Sequence, residues 1–95
     1  MLGAGAHHAR RVRHATAEDL DHVEDLLTAL RQFPELRERK RGHFSKRSQA
    51  FLHFHEDSGD LYVDVKIDGA FQRMRLRTPK ERAEFLSQVQ ASLRL

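Results

Sequence analysis

Cysteine is missing altogether from these 95 residues. That excludes a disulfide framework and any metal held by thiolates, and it fits a reducing compartment. Long apolar runs are missing too: none approaches the roughly 20 residues that a membrane-spanning helix needs. The first fifteen residues, MLGAGAHHARRVRHA, carry arginines and a histidine pair but no apolar core of a secretory signal. The expectation is a cytoplasmic chain with no membrane partner. There is no phosphate-binding Walker loop, and the Gly3-Ala4-Gly5 triplet has no strand before it to make a dinucleotide fingerprint. Internal repeats and low-complexity segments are also absent.

What is present is basic charge. The net charge is +3 and the isoelectric point about 9.8. Thirteen of the 17 basic residues are arginine, the side chain best shaped for phosphate and carboxylate, although a GC-rich genome produces the same bias. The length allows one domain. Residues 1–15 show no apolar period and read as a flexible basic tail, leaving 16–95 as a single α+β domain. A chain of that size buries only about 60–65% of its extended surface, so dimerisation is an obvious way to hide more.

Thr16 is placed to cap a helix over 17–32, with Glu18 and Asp19 in its first turn and Leu20, Val23, Leu27 and Leu30 at helical spacing. Phe33-Pro34 ends it, and PELRERK then reads as a short further turn closed by Gly42. A short edge strand fits 43–46. Three strands follow, at about 49–56, 61–67 and 70–77, joined at Ser58-Gly59 and Asp68-Gly69. Asp-Gly is a strong hairpin signal because both central residues of a type I′ turn take positive φ. Thr78-Pro79-Lys80-Glu81 has the pattern of a capping box, opening a last helix with Phe85, Leu86, Val89 and Leu93 inward. The expected fold is α-β-β-β-α: a three-stranded antiparallel meander, with the further short edge strand, and two helices packed on one face.

Two-residue turns set the register. They place Ala50, Leu52, Phe54, Leu61, Val63, Val65, Ile67, Met74 and Leu76 on the helix side. The other side carries three rows: Phe51, Lys66, Phe71; then His53, Asp64, Arg73; then His55, Tyr62, Arg75, with Arg77 near Asp60. Aromatic rings among cations can stack a planar group and hold an anion, as single-stranded nucleic acid requires. A solvated sheet face with paired charges has the same look.

His53 and His55 share a face, but a metal site needs three or four ligands. Arg73 and Arg75 beside them oppose a cation, so no metal or other cofactor is expected. His53 beside Asp64 has two parts of a triad, yet no nucleophile has a place near it, and no enzymatic role is expected. Pairing with Asp64 would raise the His53 pKa. The run RERKRGHFSKR reads as a basic loop, with Arg39, Lys40, Arg41, His43, Lys46 and Arg47 extending the positive face.

From Leu26 to Val65 the segments LLTALRQFPEL, GHF, QAFLHFHED and LYVDVKI resemble those of MmcQ/YjbR-like small bacterial proteins. The resemblance implies a secretion-chaperone-like α-β3-α unit followed by further strands and a helix, and a DNA-binding label. This chain stops after one such unit, which suggests that a second copy supplies the missing half. The function expected is a small binding module. Its open face takes an anionic partner, nucleic acid first, or alternatively forms a protein–protein or homodimer interface.

Overall fold

The computed structural model describes residues 13–94. Their order is β1 (Arg13–His14), α1 (Ala17–Asp21), α2 (Glu24–Arg31), β2 (Leu36–Lys40), β3 (His43–Lys46), β4 (Gln49–Asp57), β5 (Asp60–Ile67), β6 (Ala70–Arg75) and α3 (Pro79–Leu93). The class is α+β. The sheet is wholly antiparallel in the order β2-β3-β4-β5-β6, with β1 added beside β4. It is thus larger than a three-stranded meander, and it carries three helices rather than two.

Both helix starts form as their sequences dictate. Thr16 Oγ1 accepts from the Asp19 amide and the Asp19 carboxylate accepts from the Thr16 amide. Thr78 and Glu81 make the same reciprocal pair ahead of Pro79. The first helix differs from one continuous element over 17–32. Val23 leaves helical geometry (φ −123, ψ 25), and the kink lets Leu20 and Val23 point into the same core as Leu26, Leu27 and Leu30.

LRERK is a strand, not a helical turn. It pairs with β3 across the Arg41-Gly42 turn. Gly42 has φ +82, and a Cβ there would stand 2.9 Å from Leu20 Cδ2, so the tight turn and the packing both require glycine. The expected basic loop is therefore a hairpin, and β3 is an interior strand rather than an edge.

The β4-β5-β6 register matches the expected one from Leu52 to Arg75. His53 faces Asp64, His55 faces Tyr62, Asp64 faces Arg73 and Lys66 faces Phe71. Both glycine turns have positive φ at each central residue.

Two corrections bear on the site. In β3–β4 the register slips by one residue: Phe44 pairs with Leu52 but Ser45 pairs with Ala50. Phe51 is the extra residue of this bulge, and bulges re-aim side chains. Phe51 therefore joins the core at 4% exposure instead of lying on the open face, while Ala50 is exposed. The second correction concerns the expected tail. Arg13 pairs with Glu56 and His14 with His55, and the Ala15 amide donates to the Phe54 carbonyl. Strand β4 is nine residues long and β3 covers only its first half, so β1 takes the remaining edge. An Arg13–Glu56 contact of 2.8 Å pins it. Residues 1–12 of that tail, and Leu95, lie outside the described residues.

The core unites Leu20, Leu27, Leu30, Phe85 and Val89 of the helical layer with Phe44, Leu52, Phe54, Val63 and Val65 of the sheet. Among the described residues, no helix lies on the opposite face, and no helix is long and apolar enough to cross a membrane.

Candidate functional site: an uncovered sheet face with four histidines

The register and the bulge together build two rows across the uncovered face. One runs His43, His53, Asp64, Arg73 through β3, β4, β5 and β6. The other runs His14, His55, Tyr62, Arg75 through β1, β4, β5 and β6. Strands β1 and β3 sit end to end along the same edge of β4, so four imidazoles meet. Ring centroids are 4.4 Å apart for His53–His55, 4.9 Å for His14–His43 and 5.8 Å for His43–His53. Sequence reasoning found His53 and His55, assigned His43 to the basic loop and placed His14 in the tail. No hairpin signal marks either of the last two: His14 needs a strand added from far along the chain, and His43 needs the bulge.

Asp64 organises the centre. Arg73 donates to it from Nε (2.8 Å) and Nη2 (3.0 Å). His55 Nε2 lies 2.8 Å and His53 Nε2 3.7 Å from Asp64 Oδ2. Burial pushes the Asp64 carboxyl up, but the hydrogen bond from Arg73 and the neighbouring His55 outweigh it and hold it below the usual range.

The expected rise in the His53 pKa does not occur. Burial, then the charge of His55, lower it, and the attraction of Asp64 is too small to reverse them. His43 is pushed down to about 4, chiefly by burial and next by His53. The cluster is therefore held as neutral imidazoles at these two positions. His55 is 7% exposed. Neither of its ring nitrogens has an aligned hydrogen bond among the described residues, the close approach to Asp64 included.

The remaining expected site residues divide into two groups. Arg75 is drawn to Glu81 in the first turn of α3 (2.9 Å) and Arg77 to Asp60 (3.5 Å). Arg41 binds Asp21 and Glu24 of the helical layer, at 2.8 Å each. These arginines, with Arg73, are neutralised within the chain. Arg39, Lys40, Lys46, Arg47 and Lys66 have no carboxylate partner among the described residues. Arg39 Nε donates to Ser45 Oγ (3.0 Å). Lys66 Nζ sits 5.6 Å from the ring centre of Phe71, and Lys46 Nζ 5.9 Å from that of Phe51. Phe71 is the exposed large apolar residue of the face, at 47%, and its ring lies 5.8 Å from that of His53.

Two shallow grooves collect these cations. One of about 370 Å³ is lined by Arg39, Lys40, His43, Ser45 and His53. The other, about 440 Å³, is lined by Lys46, Arg47, Phe51, Lys66 and Ser92, with Asp68 as its acid. Ser45 Oγ, the buried hydroxyl of the first groove, accepts from Arg39 and donates to the Arg37 carbonyl. Among the described residues it makes no hydrogen bond to a histidine.

No family model matches the chain, nor does any curated protein or solved structure.

Proposed function

We propose that the chain is a binding module, not a catalyst, and that its uncovered sheet face takes an anionic polymer, single-stranded nucleic acid first. One observation carries this reading: among the described residues, five cations without carboxylate partners border two grooves, Arg39 and Lys40 the one beside His53, and Lys46, Arg47 and Lys66 the one that reaches Ser92 of α3, with the exposed Phe71 next to Lys66. A cationic track with a ring available for stacking is what a flexible polyanion needs, because every base has a π-face and every phosphate a charge. The DNA-binding label implied by the MmcQ/YjbR-like resemblance points to the same ligand class.

The alternative is a homodimer or protein interface through the same face. Of Phe51, Tyr62 and Phe71, the aromatic residues expected to anchor it, it loses Phe51, which belongs to the core. Tyr62 is only half-exposed, which leaves Phe71 as the one anchor fully at the surface.

Fluorescence anisotropy with a labelled oligonucleotide tests the proposal. Each phosphate neutralised on a single strand contributes about −0.7 to the slope of log K against log salt, so engagement of four or five cations gives about −3. Lys66→Ala flattens the slope by about 0.7. Absence of binding tighter than about 10⁻⁴ M at low salt ends the reading. Light scattering of the free chain at the same concentrations separates the homodimer alternative.

A further inference from the structure

We propose that His14, His43, His53 and His55 form a binding site for a divalent first-row transition-metal ion of the zinc type, with Asp64 orienting His55. Three observations lead there. First, metal-ligating groups already lie close: one donor atom each from His53, His55 and Asp64 lie within 4.8 Å of one another, and the rings of His14 and His43 stand beside them. Second, the four rings are packed at separations close to those of metal-bound imidazoles. Around a tetrahedral ion with bonds of about 2.0–2.1 Å, imidazole centroids stand about 5 Å apart. Five of the six ring pairs here are separated by 4.9, 6.0, 5.7, 5.8 and 4.4 Å.

Third, His55 is buried and its Nδ1 has no partner among the described residues. A ligating histidine commonly turns its other nitrogen toward a carboxylate, which sets the ring and its tautomer. Asp64 Oδ2, 2.8 Å from His55 Nε2 but not aligned with it for a hydrogen bond, is placed to take that role when a small turn of the ring presents Nδ1 to the ion. The guanidinium of Arg73 is spent on the same carboxylate, so its charge is balanced locally.

The donor set selects the metal class. Imidazole suits zinc, copper and nickel, whereas calcium and magnesium demand oxygen ligands. His14 is exposed, on the two-residue strand at the margin of the site. The site uses residues other than the five unpartnered cations, and either reading can fail without the other.

Titration of the full-length chain with Co²⁺, read by visible absorption, tests this, with circular dichroism confirming the fold of each variant. The expected result is one ion per chain. His53→Gln and His55→Gln weaken binding about tenfold or more, and Asp64→Asn about 10–100-fold. Replacing His7, His8 and His22 together by alanine leaves affinity unchanged. Should the His55 variant fail to fold, His14→Gln and His43→Gln carry the test, each with the same loss. No saturable binding, an effect smaller than tenfold in the cluster variants, or loss of binding in the His7/His8/His22 variant overturns the proposal.

Discussion

His53 shows how burial competes with a nearby charge. Asp64 attracts the protonated ring at 3.7 Å, yet desolvation and the adjacent His55 act the other way and win, so the pKa falls. His43, opposite it, falls further, to about 4. The unfolded chain holds protons on these residues at a pH where the folded chain has released them, so acid favours unfolding. Their stabilisation is complete above the unfolded value of about 6.5 and is lost as pH falls from there toward about 4. Urea melts across that window check it. The wild-type chain loses stability over the interval, and a His43→Gln/His53→Gln variant loses less. An increase in stability on acidification would contradict the assignment. The sequence pairs His53 with Asp64 correctly but cannot reveal how dry the site is, because dryness comes from His14, His43 and the added strands.

At the level of the elements, the β3–β4 bulge does most to set the surface. A two-residue Arg47-Ser48 turn, continued without a slip, would place Phe44 opposite Phe51 and His43 opposite Leu52. One extra residue reverses faces, and so Phe44 meets Leu52 while His43 meets His53. The bulge follows a turn in which Arg47 and Ser48 both take positive φ (54 and 70), a conformation that neither residue advertises. By contrast, Asp68-Gly69 and Ser58-Gly59 announce their turns. The β4-β5-β6 meander, both capping boxes and the His53–Asp64–Arg73 row were accordingly legible, whereas Phe51, His43 and His14 were not. The same bulge separates two phenylalanines that alternation alone puts on one face. Phe51→Ala opens a cavity in the core and costs about 3–5 kcal/mol, while Phe71→Ala, at the exposed end of its row, stays within about 0.5 kcal/mol. Chemical denaturation of the two variants measures the difference, and equal losses would place both rings on one side.

Across the whole molecule, ion pairs join the helices to the sheet. Arg31 and Arg41 tie α1 and α2 to the β2–β3 hairpin through Asp21, Glu24 and Glu38. Arg75 ties β6 to α3. Such exposed pairs are individually weak, but they consume carboxylates on the helical side and at its margins. Among the described residues without a carboxylate partner, Arg39, Lys40, Lys46, Arg47 and Lys66 line the two grooves, whereas Arg37 lies on β2 and Lys80, Arg82 and Arg94 on or just after α3. Chemical-shift mapping of the ¹⁵N-labelled chain, titrated with a single-stranded oligonucleotide at low salt, tests this division most directly. The account predicts that the amides of Lys40, His43, Lys46, His53, Lys66 and Phe71 move while those of α2 stay still; shifts confined to the helices, or none at saturating oligonucleotide, would contradict it.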